Sequence, residues 1–144
     1  MSHRYIAPVF LCVAAALYGP AVHADDMSDA RNTGSEILDR ISTGKSLSVW
    51  DSYVSDWFKE RMTKDAFLAN MAMVKAQQGG AGEERTLIQQ NKSDGAPQFG
   101  FKKSVYSFTF STNFPSGKVY ETIVLIREGS EYKVSGLNYL PNPN

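Results

Sequence analysis

The chain has 144 residues, 42% of them hydrophobic, and its 15 basic and 15 acidic side chains cancel. That balance excludes the basic surface by which proteins hold nucleic acid, and no basic amphipathic stretch offers itself to a membrane surface. One cysteine and two histidines leave little for thiolate, imidazole or zinc chemistry.

The amino terminus has the parts of a secretory signal. Arg4 precedes an apolar run from Tyr5 to Tyr18 that only Pro8 interrupts; Gly19-Pro20 ends it, and Val22-His23-Ala24 offers small or compact residues for cleavage. The run is shorter than the roughly 20 residues that cross a bilayer. Cys12 follows Leu11 and sits too early in the run for a lipoprotein site. The expectation is a signal peptide over residues 1–24 and one domain over 25–144, periplasmic or secreted, with no membrane contact after cleavage. Cleavage removes Cys12, His3 and His23 together. The mature domain then has no disulfide, no Ser-His-Asp triad, no thiolate nucleophile and no His/Cys zinc site, and nothing in it calls for a cofactor or metal.

Helices come first in the mature chain. Met27, Ala30, Gly34, Ile37, Leu38 and Ile41 recur at three- and four-residue spacing, on one helical face. A capping box at Thr33-Gly-Ser-Glu36 offers a later start, but the longer helix is preferred, with Gly34 letting a neighbour approach and Gly44 as the stop. Ser46 or Ser48 can cap a second helix whose stripe is Leu47, Trp50, Tyr53, Val54, Trp57 and Phe58. Thr63 reads as the cap of a third, with Asp65 near its positive end, Phe67, Leu68, Met71 and Val74 buried, and Gly79 to Gly82 ending it.

Strands follow. Thr86 to Gln90 is the first, then a loop from Lys92 to Gly100. Val105 to Ser111 alternates, with Tyr106, Phe108 and Phe110 on one side. After a turn at Asn113 to Gly117 comes Val119 to Ile126, apolar on both sides in its latter half, and Tyr132 to Tyr139 closes the sheet before a frayed tail, Pro141 to Asn144. Short connections favour antiparallel hairpins. Helices followed by strands predict an α+β fold, helices packed on one face of a curved antiparallel four-stranded sheet.

From Ile37 onward the chain resembles an exported bacterial family catalogued as domain of unknown function 4019. The resemblance is carried by Ile37-Leu38-Asp39, Trp50, Phe58, the Gly82 to Leu87 segment with Arg85, Tyr106 to Phe110, Glu121 to Leu125, and Tyr132 to Gly136. Phe67 and Tyr132 stand where that family often has tryptophan, and Leu137 where it has an aromatic. The resemblance implies a cone similar to nuclear-transport-factor-2-like and cystatin-like domains, and it brings no activity.

Six residues are candidates for binding. Tyr53 and Trp57 could form an aromatic wall at the open end of a cone, with Tyr106 and Phe108 lining it. Arg85 and Glu121 each open a strand otherwise built for burial; solvated strand ends, an exposed cross-strand ion pair and a pocket role are all open to them, and the favoured arrangement is a buried ion pair near Tyr106 and Trp57. Register decides it. If Thr112 pairs with Lys118, Glu121 shares a face with Ser107 and Thr109; a shorter loop puts it with the rings. Asp39, Asp51 and Asp56 read as solvated carboxylates.

Three functions remain: a non-catalytic module binding a small molecule, glycan or peptide in a cone pocket or on a sheet face; an inhibitor or immunity protein of the envelope; and an isomerase-like enzyme using carboxylate and tyrosine. Because Val124 and Ile126 cannot face the helices together with Ile123 and Leu125, a sheet-to-sheet homodimer is one expected way to cover them. Intact-mass measurement on protein from the exporting host should give a chain beginning at Asp25; a mature chain that keeps Cys12 would contradict the reading.

Overall fold

A computed structural model describes residues 26–95 and 102–142. The expected signal peptide, residues 96–100 of the expected loop and residues 143–144 of the tail lie outside the described residues. Helix α1 runs over residues 26–42, the longer of the two starts that the sequence allows. Helix α2 is Ser46–Tyr53, α3 is Asp56–Lys59 and α4 is Lys64–Gln78. Strands β1 (Glu83–Ser93), β2 (Val105–Phe114), β3 (Gly117–Glu128) and β4 (Glu131–Pro141) form one antiparallel sheet in the order β1-β2-β3-β4. The architecture is the expected α+β cone.

The core lies between the inner sheet face and α1. Ile37, Leu38 and Ile41 of α1 are wholly buried, as are Phe67 on α4 and Phe108, Ile123 and Leu125 on the sheet. Gly34 lets α1 sit this close: a Cβ there would stand 3.1 Å from Ile123 Cγ2 and 3.6 Å from Leu125 Cδ1. On the other helices, Trp50 lies 5.3 Å from Phe67 and Phe58 meets the same ring edge-on at 6.1 Å. Aromatic pairs at such spacings add about 0.5–1.5 kcal/mol beyond the area they bury.

The second helix of the sequence is two helices. At Val54 the chain leaves the helix to form a parallel bridge with Val134, and the Ser55 N–H donates to the Val134 carbonyl at 3.0 Å. The Ser55 hydroxyl then caps α3 by accepting from the Phe58 N–H at 3.1 Å, and it meets the Ser135 hydroxyl at 2.9 Å. Helical periodicity runs unbroken through this point, but a sheet edge offering an unpaired carbonyl outcompetes it. Of the expected caps, Thr63 serves as read, accepting from the Ala66 N–H at 3.2 Å. Neither Ser46 nor Ser48 caps α2: Lys45 holds that position without a side-chain bond, and Ser48 donates back to the Lys45 carbonyl.

Strands run longer than alternation alone predicts. β1 takes in Lys92 and Ser93 from the expected loop, and β4 extends to Pro141, opposite Val119. Asn142 is held too, its N–H donating to the Lys118 carbonyl and its side chain to the Tyr120 hydroxyl. On the outer face Ile126 is 1% exposed, in a hollow shared with Trp57, Lys102 and Lys103. Of the two outer apolar residues, only Val124 is left half-buried. Gly34→Leu should lower unfolding free energy by about 1–3 kcal/mol through overpacking, read from the urea midpoint, with Ile123 and Leu125 the side chains displaced.

Candidate functional site

The β2–β3 turn decides the charged centre. Phe114 pairs with Gly117 across Pro115-Ser116, Thr112 with Val119 and Phe110 with Glu121, so the loop is the shorter one and Glu121 lies on the inner face beside the rings. Its side chain is 0% exposed and that of Arg85 is 10% exposed. Arg85 Nε donates to Glu121 Oε1 at 3.0 Å, and the Thr112 hydroxyl donates to the same oxygen at 2.6 Å. Arg85 Nη1 donates to Asp39 Oδ1 and, at 3.4 Å, to the Ser35 carbonyl of α1. The expected ion pair therefore forms, but beside Thr112, Asp39 and Ser35 instead of Tyr106 and Trp57. Asp39 is 61% exposed, as a solvated carboxylate should be, yet it anchors the outer end of the guanidinium.

Burial opposes the Arg85 charge, but the carboxylates of Glu121 and Asp39 outweigh it and hold the guanidinium above its ordinary range. Tyr139 lies opposite Glu121 on β4. Burial first, and the Glu121 charge second, push its hydroxyl up, so it stays protonated. Glu121 Oε2, Arg85 Nη2 and the Tyr139 hydroxyl are buried without a protein partner. A network with such remainders contributes little net stability, but it punishes removal of either charge.

The other four candidates lie apart from this pair, and only Tyr106 and Phe108 share a place, the buried face of β2. Phe108 is core, packed near the site of Gly34 and stacked on Phe110 at 6.4 Å. Tyr106 is buried, edge-on to Tyr132 at 5.3 Å. Tyr53 lines a polar hollow of about 450 Å³ with Asp29, Asn32, Glu36 and Lys133, and its hydroxyl donates to Glu36 Oε1 at 3.2 Å. Hydrogen bonding from Arg40 chiefly holds the Glu36 carboxyl below its usual range, against an opposing effect of burial and with a lesser contribution from Tyr53. Trp57 carries the Arg61 guanidinium 3.9 Å above its ring and borders a separate hollow of about 340 Å³. Six residues thus occupy four places. No single cone pocket joins them.

A different place has the character of a binding groove. Two hollows, about 340 and 380 Å³, adjoin between α4 and β4 and share Val74, Gln77 and Tyr139. The first is lined by Phe58, Met62, Phe67, Asn70, Met71 and the β4 residues Gly136 to Tyr139, none of them charged. The second continues past Gln78 and Ser116 to Val119, Pro141 and Asn142, with Lys118 its one charged residue. Gln78 is 3% exposed, with both amide atoms lacking a partner in the protein. Sequence reasoning passed over Gln78, although it falls seven residues after Met71 and eleven after Phe67, on the buried stripe of α4. Tyr139 was passed over because its position opposite Glu121 depends on the register of two hairpins. Among the described residues, no group of three or more Asp, Glu, His or Cys side chains is placed to hold a metal ion.

Arg85→Ala and Glu121→Ala should each lose about 3–5 kcal/mol of stability, because each strands a buried charge. The double variant Arg85→Leu/Glu121→Met should be milder than either, and Arg40→Ala on the exposed Glu36 pair close to wild type. Denaturant midpoints for the four proteins check this; near-wild-type values for both single alanine variants would mean that the pair is hydrated.

No curated protein and no solved structure matches the chain. The family described as protein of unknown function (DUF4019) matches residues 33–137, from the middle of α1 through α2, α3, α4 and the first three strands into β4. The span includes Asp39, Arg85, Thr112 and Glu121 as well as most of the groove, and the chain belongs to that family.

Proposed function

We propose that the mature domain is a non-catalytic binding module of the bacterial periplasm or exterior, and that it holds its ligand in the groove between α4 and β4. The observation that carries this reading is the groove at the rim, walled by apolar and amide side chains with Lys118 its one charged residue. Ile37, Leu38, Phe108 and Ile123 are wholly buried where α1 meets the sheet, so none of them presents a surface to a ligand. The groove joins apolar walls to a few amide side chains, the composition by which proteins hold small or linear ligands. The one carboxylate beneath it, Glu121, is already bound by Arg85 and Thr112, an arrangement suited to fixing strand positions more than to moving protons. Export is supported by Arg4, the apolar run that follows it and the Val22-His23-Ala24 junction.

Chemical-shift mapping with a mixed library of fragments tests the proposal. Amide shifts should cluster at Met62, Val74, Leu137 and Tyr139, and Val74→Arg should abolish them while melting like the parent. Hits that collect instead around Tyr53 and Lys133, or on the outer sheet face at Thr109 and Thr122, would overturn it.

A further inference from the structure

The two edges of the sheet are built differently. β1 carries Glu83, Glu84 and Lys92 and two interruptions of register, and such charges and bulges keep an edge from pairing with another chain. On β4 the stretch from Gly136 to Leu140 has no charge, no proline and no bulge. Its outer side is covered at one point before that stretch, where Val54 bridges Val134 and the Ser55 N–H donates to the Val134 carbonyl. Pro141, which has no N–H, ends it on the other side.

The bond from the Asn142 N–H to the Lys118 carbonyl fixes the phase of the ladder between. In an antiparallel pair, residues that exchange bonds with the neighbour alternate with residues that turn theirs away. Counting back from Asn142, Leu140 and Asn138 face β3. Leu137 and Tyr139 therefore turn their N–H and C=O groups outward. Both residues also line the groove described above, so the open backbone and the apolar hollow lie side by side.

A row of backbone donors and acceptors two residues apart, a spacing of about 6.8 Å, is matched by another extended polypeptide. Sugars and acyl chains do not supply that repeat. The protein's own Val54-Ser55 already pairs with the preceding section of this edge, so an added strand would continue a line of pairing that exists. Charge narrows the choice further. The hollow beside Phe58, Met71 and Val74 is uncharged, and at the other end Lys118 is exposed, without an ion pair among the described residues.

Building on the binding-module reading, we infer that β4 takes up an extended peptide as a fifth strand, with an apolar side chain of the peptide in the hollow at Phe58, Met71 and Val74 and an acidic group near Lys118. Strand addition supplies the affinity through main-chain bonds to Leu137 and Tyr139. The hollow and the lysine supply selection.

The test uses the mature chain and a pool of labelled hexapeptides with Leu, Ile, Val or Phe at alternate positions and a free terminal carboxylate, read by fluorescence anisotropy. Methylating one alternate set of peptide amides should weaken binding about tenfold or more, and methylating the other set should have little effect. Lys118→Glu should weaken the free-acid peptides and leave their amidated forms unchanged. In the unliganded protein the Leu137 and Tyr139 amides should exchange with solvent far faster than those of Asn138 and Leu140. Leu137→Pro should abolish binding while retaining the parent's circular dichroism; if it fails to fold, the methylation scan decides alone. Equal binding by both methylated sets, no binding by the pool, or slow exchange at Leu137 and Tyr139 would overturn strand addition. Fragments that still clustered in the groove would then leave the binding module standing, whereas hits elsewhere would remove both.

Discussion

A carboxylate on the buried face of a central strand is the constraint around which the rest of this domain is arranged. Glu121 cannot enter the cone as a bare charge, since an unpaired ion in a dry interior costs several kcal/mol or more. Arg85 from β1 and Thr112 from β2 meet it there, and Asp39 and Ser35 of α1 hold the far side of the guanidinium. Three strands and a helix are thereby tied to one point. The same contact distinguishes registers, because a slip of one residue between β2 and β3 would expel Glu121 to the outer face and leave Arg85 buried alone. It is better understood as a device of specificity than as a source of stability, given the polar atoms it leaves without partners.

The sheet's asymmetry follows from what covers its ends. β1 is protected by its own side chains, with Glu84 at a positive φ of 53° and its carboxylate accepting from Asn113 Nδ2. β4 is protected in its first half by the connection between α2 and α3 and is open in its second. Splitting one amphipathic helix at Val54-Ser55 therefore serves the sheet: a backbone N–H leaves the helix ladder and satisfies an edge carbonyl. The cost is a short α3, anchored by the Ser55 cap and by Phe58 against Phe67. The gain is a sheet edge that is uncovered only where α4 stands beside it, which makes the groove between them the place where the domain can meet something else.

Local pattern and composition were enough for much of this. The three-and-four spacing of Ala30, Ile37, Leu38 and Ile41 puts α1 against a core whatever the rest does, and the strict alternation of Tyr106, Phe108 and Phe110 makes β2 a half-buried strand. Thr63 caps α4 because its hydroxyl reaches the Ala66 N–H within one turn. These contacts are local, or depend on a hydrophobic face that has one way to be buried, and so the sequence by itself determined the α+β class and the order of its elements.

The tertiary structure alone decided the rest, for reasons of distance along the chain. Glu121's face depended on a one-residue shift of register between β2 and β3, and nothing within the turn shows which register the packing prefers. Tyr53 on α2, Trp57 on α3 and the pair Tyr106 and Phe108 on β2 share aromatic chemistry, and their separation was set by how α2, α3 and the sheet pack. The groove between α4 and β4 pairs Val74 and Gln78 with residues some sixty positions later. Periodicity reports which side of an element is buried; which two buried or open sides meet is a property of the folded whole.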